Sequence, residues 1–430
     1  MRYWPLFIVL FIAGCIEPNQ TFKKIPPGIW RGELLLDRTP VVKYGDDRDI
    51  VKKDDIESTV PFNFEVVYDN DSTFHIVMHN GTERINVPDV QFKTDPYTNK
   101  DTVIIDFPIY DTQIRAIYED GIMEGDWIVN YRDDYRIPFK AVHGKGHRFN
   151  GVKREHSDMA VNGSWETVFT EEDGNTFKAL GSFYQKGDSL TGTFQTETGD
   201  FRYLEGMVIE GKMYLSVFDG SHAYLFIAKM LSDSTLTGTF RAGSKYKATW
   251  EAKRTDKNSL ADAYSMTKTT GKPLSFTFPN QDGQPVSITD QKFDDKYKII
   301  QIMGTWCPNC MDETVFLQDY FKNHPADDIA VISIGVERYK DTLKSLSMLK
   351  KFKDRMHIDH DVLLGGYTGD RASVVKALEI DGIKSFPTLL FADRNNKIVK
   401  IHTGFNGPAT PVYEDFKKEF TTILEQLRKD

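Results

Sequence analysis

Cysteine is scarce in this chain. Three occur in 430 residues, Cys15, Cys307 and Cys310, which excludes a scaffold stapled by several disulfides and a zinc site built from two cysteine pairs. Positive charge is not in excess either: 54 Lys and Arg face 63 Asp and Glu, a net charge of -9. That balance argues against nucleic acid as the main partner. The N-terminal apolar run, Leu6 to Ile12, is too short for a permanent bilayer span. A nucleotide-binding glycine loop and a catalytic serine motif are both missing. What remains is ordinary for folded protein, with 40% apolar and 27% charged residues, and the length suffices for two or three domains.

The N-terminus reads as an export signal. Met1-Arg2 gives a short positive head, Leu6 to Ile12 an apolar segment, and Ile12-Ala13-Gly14-Cys15 places small residues before a cysteine. This resembles the lipobox of bacterial lipoproteins. The resemblance implies that residues 1–14 are removed, that Cys15 is lipidated, and that 15–27 tether a body anchored in the bacterial envelope and facing the periplasm. Insertion of the acyl chains would then supply the membrane contact.

From about Gly28 to Lys253 no long stretch has helical periodicity. Aromatic and β-branched runs such as Phe62 to Tyr68 and Phe74 to Met78 alternate with Asp/Asn/Gly turns, the pattern of antiparallel strands. Weak self-similarity runs through the region. Gly28-Ile29-Trp30 is answered by Gly163-Ser164-Trp165, Tyr110-Asp111-Thr112 by Phe218-Asp219-Gly220, and the segment Gly121 to Trp127 by Ser234 to Phe240. The pattern fits two modules, 28–158 and 159–254, and equally one irregular barrel or sandwich with recurring Gly-aromatic turns. Its histidines, His75, His79, His143, His147 and His156, have no cysteine nearby and read as structural or exposed rather than metal-binding. Residues 255–271 are polar and poor in large apolar groups, as a linker would be.

From 272 onward the pattern becomes α/β. Lys298 to Met303 is a short buried strand and Met311 to Phe321 a helix, so Gly304-Thr305-Trp306-Cys307-Pro308-Asn309-Cys310 lies at a strand-to-helix junction. Two cysteines two residues apart suit a reversible dithiol/disulfide couple. Cys307 is expected at the helix N-terminus, ionised and exposed to a foreign disulfide, with Cys310 one turn on and able to attack the mixed disulfide from within. Zinc is disfavoured, because a site here would need two further ligands and only His357, His360 or His402 stand by.

These motifs, with Glu313, Gly382 to Thr388 and Asp393 to Val399, resemble the TlpA/ResA-like thiol-disulfide oxidoreductases of the thioredoxin superfamily. The resemblance covers residues from about 271 to the end. It implies an α/β thioredoxin-like fold with Cys307 as nucleophile, Cys310 as resolving cysteine, Pro387 as a cis proline facing the pair, and Glu313 as the acid that tunes its titration. Trp306, Pro308, Asn309, Phe386 and Thr388 would position substrate. The expected activity is disulfide reduction in the envelope, with no cofactor beyond the cysteine pair. The partners implied are a disulfide-bearing envelope protein or small thiol substrate and an upstream membrane thiol reductant, with no nucleic acid. A noncatalytic envelope lipoprotein that binds a ligand or protein, its thioredoxin-like domain serving for docking, is the alternative.

Overall fold

The computed structural model describes residues 24–37, 53–94, 96, 99–149, 159–257 and 259–429. Cys15, the signal segment and most of the tether lie outside them, as does His156. Nine antiparallel strands come first: β1 (Gly28–Leu35), β2 (Thr59–Tyr68), β3 (Phe74–Asn80), β4 (Glu83–Val87), β5 (Val90–Thr94), β6 (Asp101–Phe107), β7 (Thr112–Glu119), β8 (Ile122–Val129) and β9 (Arg136–His143). They pair in the order β4-β3-β2-β1-β9-β8-β7-β6-β5. The meander thus folds back so that first and last strands meet, while β4 and β5 remain edges. Alternation sets each buried face: along β3, Phe74, Ile76 and Met78 point inward while His75, Val77 and His79 are half-buried. His75 pairs with Asp69 at 2.9 Å, and His79 lies 3.7 Å from Glu65.

Eight more strands close into a barrel: β10 (Gly163–Glu171), β11 (Thr176–Lys186), β12 (Ser189–Thr196), β13 (Leu204–Ile209), β14 (Lys212–Phe218), β15 (Ala223–Ser232), β16 (Thr235–Ala242) and β17 (Tyr246–Arg254). Glu210 and Gly211, at φ 49° and 74°, make the two-residue turn between β13 and β14, the left-handed conformation that matches hairpin twist. The interior is filled by Phe169, Phe194, Phe226, Phe240 and Trp250, with Phe226 stacked on Phe240 at 4.3 Å. The interior is thus filled by side chains, as in small barrels. Outside it, Phe218, Leu225 and Ile227 join the core of the nine-stranded sheet, where Phe62 lies 4.6 Å from Phe218.

A two-stranded hairpin, β18 (Thr277–Pro279) with β19 (Pro285–Ser287), leads into the last domain. Its five-stranded sheet has the order β22-β21-β20-β23-β24, from β20 (Tyr297–Met303), β21 (Ile329–Glu337), β22 (Asp361–Tyr367), β23 (Thr388–Ala392) and β24 (Ile398–Thr403). Strands β20, β21 and β22 run parallel, β23 pairs antiparallel with β20, and β24 pairs antiparallel with β23. Every residue of β20 is buried, as a central strand covered on both faces must be. The helices are α1 (Pro308–Asn323), α2 (Thr342–Arg355), α3 (Ala372–Ala377) and α4 (Tyr413–Leu427). Asp341 caps α2 by accepting from the Lys344 N–H at 2.7 Å. This is the thioredoxin-like fold after a β-rich region. The sequence pattern marks only Val362 to Leu364 as a minor strand; parallel pairing with β21 extends it to a full edge strand. The polar stretch before 272 is docked from Ala263 on, whose carbonyl accepts from the Thr403 N–H at 3.0 Å.

Candidate active site

Strand β20 delivers Gly304 to Trp306 to the sheet end, and α1 begins one residue after Cys307. Cys307 is extended, at φ -106° and ψ 109°, with Pro308 at the first helical position, where a missing N–H costs nothing. Its Sγ accepts from the Cys310 N–H at 3.2 Å and donates to the Phe386 carbonyl at 3.5 Å. Both cysteines are free thiols. The Phe386-Pro387 peptide is cis, and Thr388, opening β23, donates its hydroxyl to the Ser385 carbonyl at 2.8 Å. Trp306 donates its indole N–H to the Val336 carbonyl at 3.1 Å and meets Phe386 edge to face at 5.1 Å. Arg338 lies 4.5 Å over the Trp306 ring and 4.2 Å over Tyr131 of the first module.

Behind the pair the side chains are closed off from the surface. Cys310 and Glu313 are fully buried. Burial, then the neighbouring Cys307, pushes the Cys310 thiol well above its usual range. Burial likewise raises the Glu313 carboxyl to about 8, against a lowering by Gln301, whose Nε2 donates to Glu313 Oε2 at 3.0 Å. Oε1 has no partner in the described structure. A carboxyl that is neutral at pH 7 beside a dithiol can hold a proton and release it as the pair changes state.

In front of the pair lies the barrel, and here one expectation fails. Cys307 was expected to be exposed; it is only 7% exposed. The β12-to-β13 loop is bonded to the residues around it and lines a cavity with it. Ser385 donates to the Thr198 carbonyl at 2.6 Å, Asn309 Nδ2 to the Asp200 carbonyl at 3.2 Å, and the Gly407 N–H to Asp200 Oδ2 at 2.6 Å. Arg202 reaches the Pro308 carbonyl at 3.1 Å and Asp312 at 2.6 Å, and also pairs with Glu83. Its guanidinium stands among Glu83, Asp219 and Asp312, acids from all three parts of the molecule. Burial works against the charge on Arg202, but Asp312 and Glu83 hold its pKa well above normal. Burial raises Asp312 to about 7 even with Arg202 pulling it down.

The Cys307 sulfur still has an outlet. A cavity of about 580 Å³ runs between the barrel and α1, lined by Phe177, Lys178, Glu197, His222, Tyr224, Trp306 and Cys307 among others. Tyr224 thus borders a cleft, whereas Phe218 and Phe226 are core.

Sequence reading missed Asp200, Arg202, Asp312 and Gln301. It also missed Glu337, buried behind Trp306, which accepts from the Thr305 N–H at 3.0 Å and hydroxyl at 2.8 Å and is raised by burial to about 7. Only the run of two acids, Asp312-Glu313, one turn into an amphipathic helix, gave a signal. Among the described residues no group of three or more His, Cys, Asp or Glu is placed to hold a metal ion.

The Redoxin family model matches residues 268–416. Residues 268–416 form a thioredoxin-superfamily domain. Within this chain it follows a β-rich region, and the Cys307-Cys310 pair at its strand-to-helix junction supports thiol-disulfide oxidoreductase activity. The chain is similar to the thiol-disulfide oxidoreductase ResA of Geobacillus thermodenitrificans, 24% identical over 148 residues, 34% of this chain and 74% of that protein. ResA of Halalkalibacterium halodurans is 20% identical over 159 residues, 37% of this chain and 80% of the relative. Among solved structures, a putative thiol:disulfide interchange protein DsbE from Chlorobium tepidum covers 37% of this chain and 98% of its own, at 20% identity and a TM-score of 0.29.

Proposed function

We propose that this chain is an exported, lipid-anchored thiol-disulfide oxidoreductase of the TlpA/ResA type, working in the bacterial envelope and reducing the disulfide of a protein or small thiol substrate. The observation that carries the reading is the arrangement of Cys307, Cys310 and the cis Phe386-Pro387 turn around one sulfur, with buried Glu313 behind it. Cys307, as thiolate, attacks one sulfur of the substrate disulfide and expels the other as a thiolate, which takes a proton. Cys310 then attacks Cys307 Sγ, releasing the second substrate thiol and leaving the Cys307-Cys310 disulfide. In the fraction of molecules whose Glu313 is ionised, its unpartnered Oε1 receives the Cys310 proton in that step. Trp306, Pro308, Asn309, Phe386 and Thr388 shape the approach. A membrane thiol reductant restores the dithiol.

The reductive direction and the envelope location rest on similarity to ResA and on the Cys15 motif. Among the described residues no helix is long and apolar enough to cross a membrane, so in this reading acyl chains on Cys15 hold the protein at the bilayer. A chain starting at residue 16 carries two thiols, which makes the test simple. Mild oxidation with diamide should remove both thiols together and dithiothreitol restore both, while Cys307→Ser and Cys310→Ser each leave one thiol that stays titratable. Two thiols that survive oxidation, or that are lost independently, would sink the reading.

A further inference from the structure

We propose that the barrel makes the cysteine pair a chamber for small disulfides, of amino-acid or short-peptide size, and screens it from folded proteins; this rests on the redox reading above. The loop from Thr196 to Tyr203 lies across the turns that flank the cis proline. Thr198 takes the Ser385 hydroxyl, Asp200 takes Asn309 and Gly407, and Arg202 clamps the first turn of α1. A Cβ placed on Gly404 would stand 2.8 Å from the Thr198 carbonyl carbon, so no second polypeptide fits between barrel and turn. An extended substrate strand, the usual way a protein presents itself beside a sheet edge, has no track in this arrangement.

The cavity is what stays open, and its lining fits a particular guest. At about 580 Å³ it lies in the size range of small-molecule sites. One wall is the His222 ring stacked on Tyr224 at 4.7 Å. Asp219 fixes that wall, accepting the Ser221 and His222 N–H groups at 2.8 and 2.6 Å and facing His222 Nδ1 at 3.2 Å. Lys178 is exposed and Glu197 half-buried, so the lining carries both signs of charge, as would meet the carboxylates and ammonium groups of an amino-acid or short-peptide disulfide. Cys307 lies in the same cavity. Exchange there is balanced without a further reagent. The dithiol gives two electrons and two protons to R–S–S–R, ending as the Cys307-Cys310 disulfide plus two RSH.

The test is a single turnover of the whole chain from residue 16, pre-reduced and freed of reductant. It is mixed with a large excess of glutathione disulfide or of insulin, and formation of the Cys307-Cys310 disulfide is followed by quenched alkylation and mass spectrometry. Glutathione disulfide should oxidise the pair at least about tenfold faster than insulin at equal disulfide concentration. Arg202→Met, which releases the clamp, should narrow that ratio by accelerating insulin. Lys178→Glu, at an exposed position, should slow glutathione disulfide about threefold relative to neutral hydroxyethyl disulfide. Insulin reacting as fast as glutathione disulfide in the unaltered chain would overturn the chamber, as would a Lys178→Glu chain indifferent to substrate charge. If neither substrate nor diamide oxidises the pair, it is the redox reading that falls.

Discussion

The two β modules begin alike and end differently. Gly28 and Gly163, at φ 97° and 105°, each open a first strand, and two residues on Trp30 and Trp165 are fully buried. Each indole donates to the carbonyl four residues back, at Pro26 (3.1 Å) and Val161 (2.9 Å). In both, the last strand returns to pair with the first. The barrel closes around its own aromatic core, whereas the nine-stranded sheet stays open and completes its core with Phe218, Leu225 and Ile227 from the barrel's outer face. Corresponding turns, after β6 and after β14, both face the thioredoxin-like domain. Asp111 takes the hydroxyl of Tyr339, just before α2, and lies 3.1 Å from Lys344 on that helix. Ser221 lies 3.4 Å from the Trp306 carbonyl, beside the cysteines. The closed barrel lends its β12-to-β13 loop to the turns beside the cysteines; the open module serves as an outer brace on α2.

Unequal ties should therefore give unequal losses. Arg202→Met strands buried acids from three regions and should cost about 3–5 kcal/mol, against about 1 kcal/mol for Asp111→Ala, which removes hydrogen bonds at a partly exposed site. Denaturant melts of the two variants compare them, and equal losses would break the distinction between clamp and brace.

The next largest effect separates the two sides of α1 by pH. Asp312 faces the barrel clamp and Glu313 the buried interior, and their folded values, about 7 and about 8, lie above the ordinary 3.8 and 4.5. Each therefore contributes stability that is fully present below its unfolded value and is lost as pH rises through its folded one. Thermal midpoints should fall between pH 5 and 9. Glu313→Gln should flatten the part of that fall extending to about pH 8, and Asp312→Asn the part ending near 7. A slope unchanged in both variants would contradict the assignment.

Trp30→Phe and Trp165→Phe should cost alike, about 1–3 kcal/mol each, since each leaves a small void and a carbonyl without its donor. A difference larger than about 2 kcal/mol would mean that the shared opening motif bears different loads in the two modules. Smallest is Arg355→Ala. Its paired contacts with Asp89 join α2 to the open sheet, but both side chains are about a third exposed, so less than about 1 kcal/mol should be lost.

The thioredoxin-like domain was legible because its signals are local. The apolar run of β20, the Cys-Pro start of α1 and the periodicity of α2 and α4 each act within a dozen residues. The β modules were legible as strands and as a weak repeat, but neither the closure of one nor the opening of the other leaves a mark on sequence. At the site, Cys307, Cys310, Glu313 and the Phe386-Pro387 turn, each part of a local motif, lie together. The barrel's share was hidden: Thr198, Asp200 and Arg202 sit in a turn of common polar residues whose neighbours are about a hundred or more positions away. That is also why Cys307 looked exposed, since the loop bonded around it comes from another domain.

The most direct test of the account is a trap. The Cys310→Ser chain, from residue 16, is incubated with glutathione disulfide and analysed by peptide mass spectrometry. The account predicts one glutathione per chain, carried on Cys307 and stable until dithiothreitol is added, and an adduct in the unaltered chain only in passing. A Cys310→Ser chain that takes up no glutathione, while diamide oxidises the unaltered pair, would show that the Cys307 sulfur is not the point of attack.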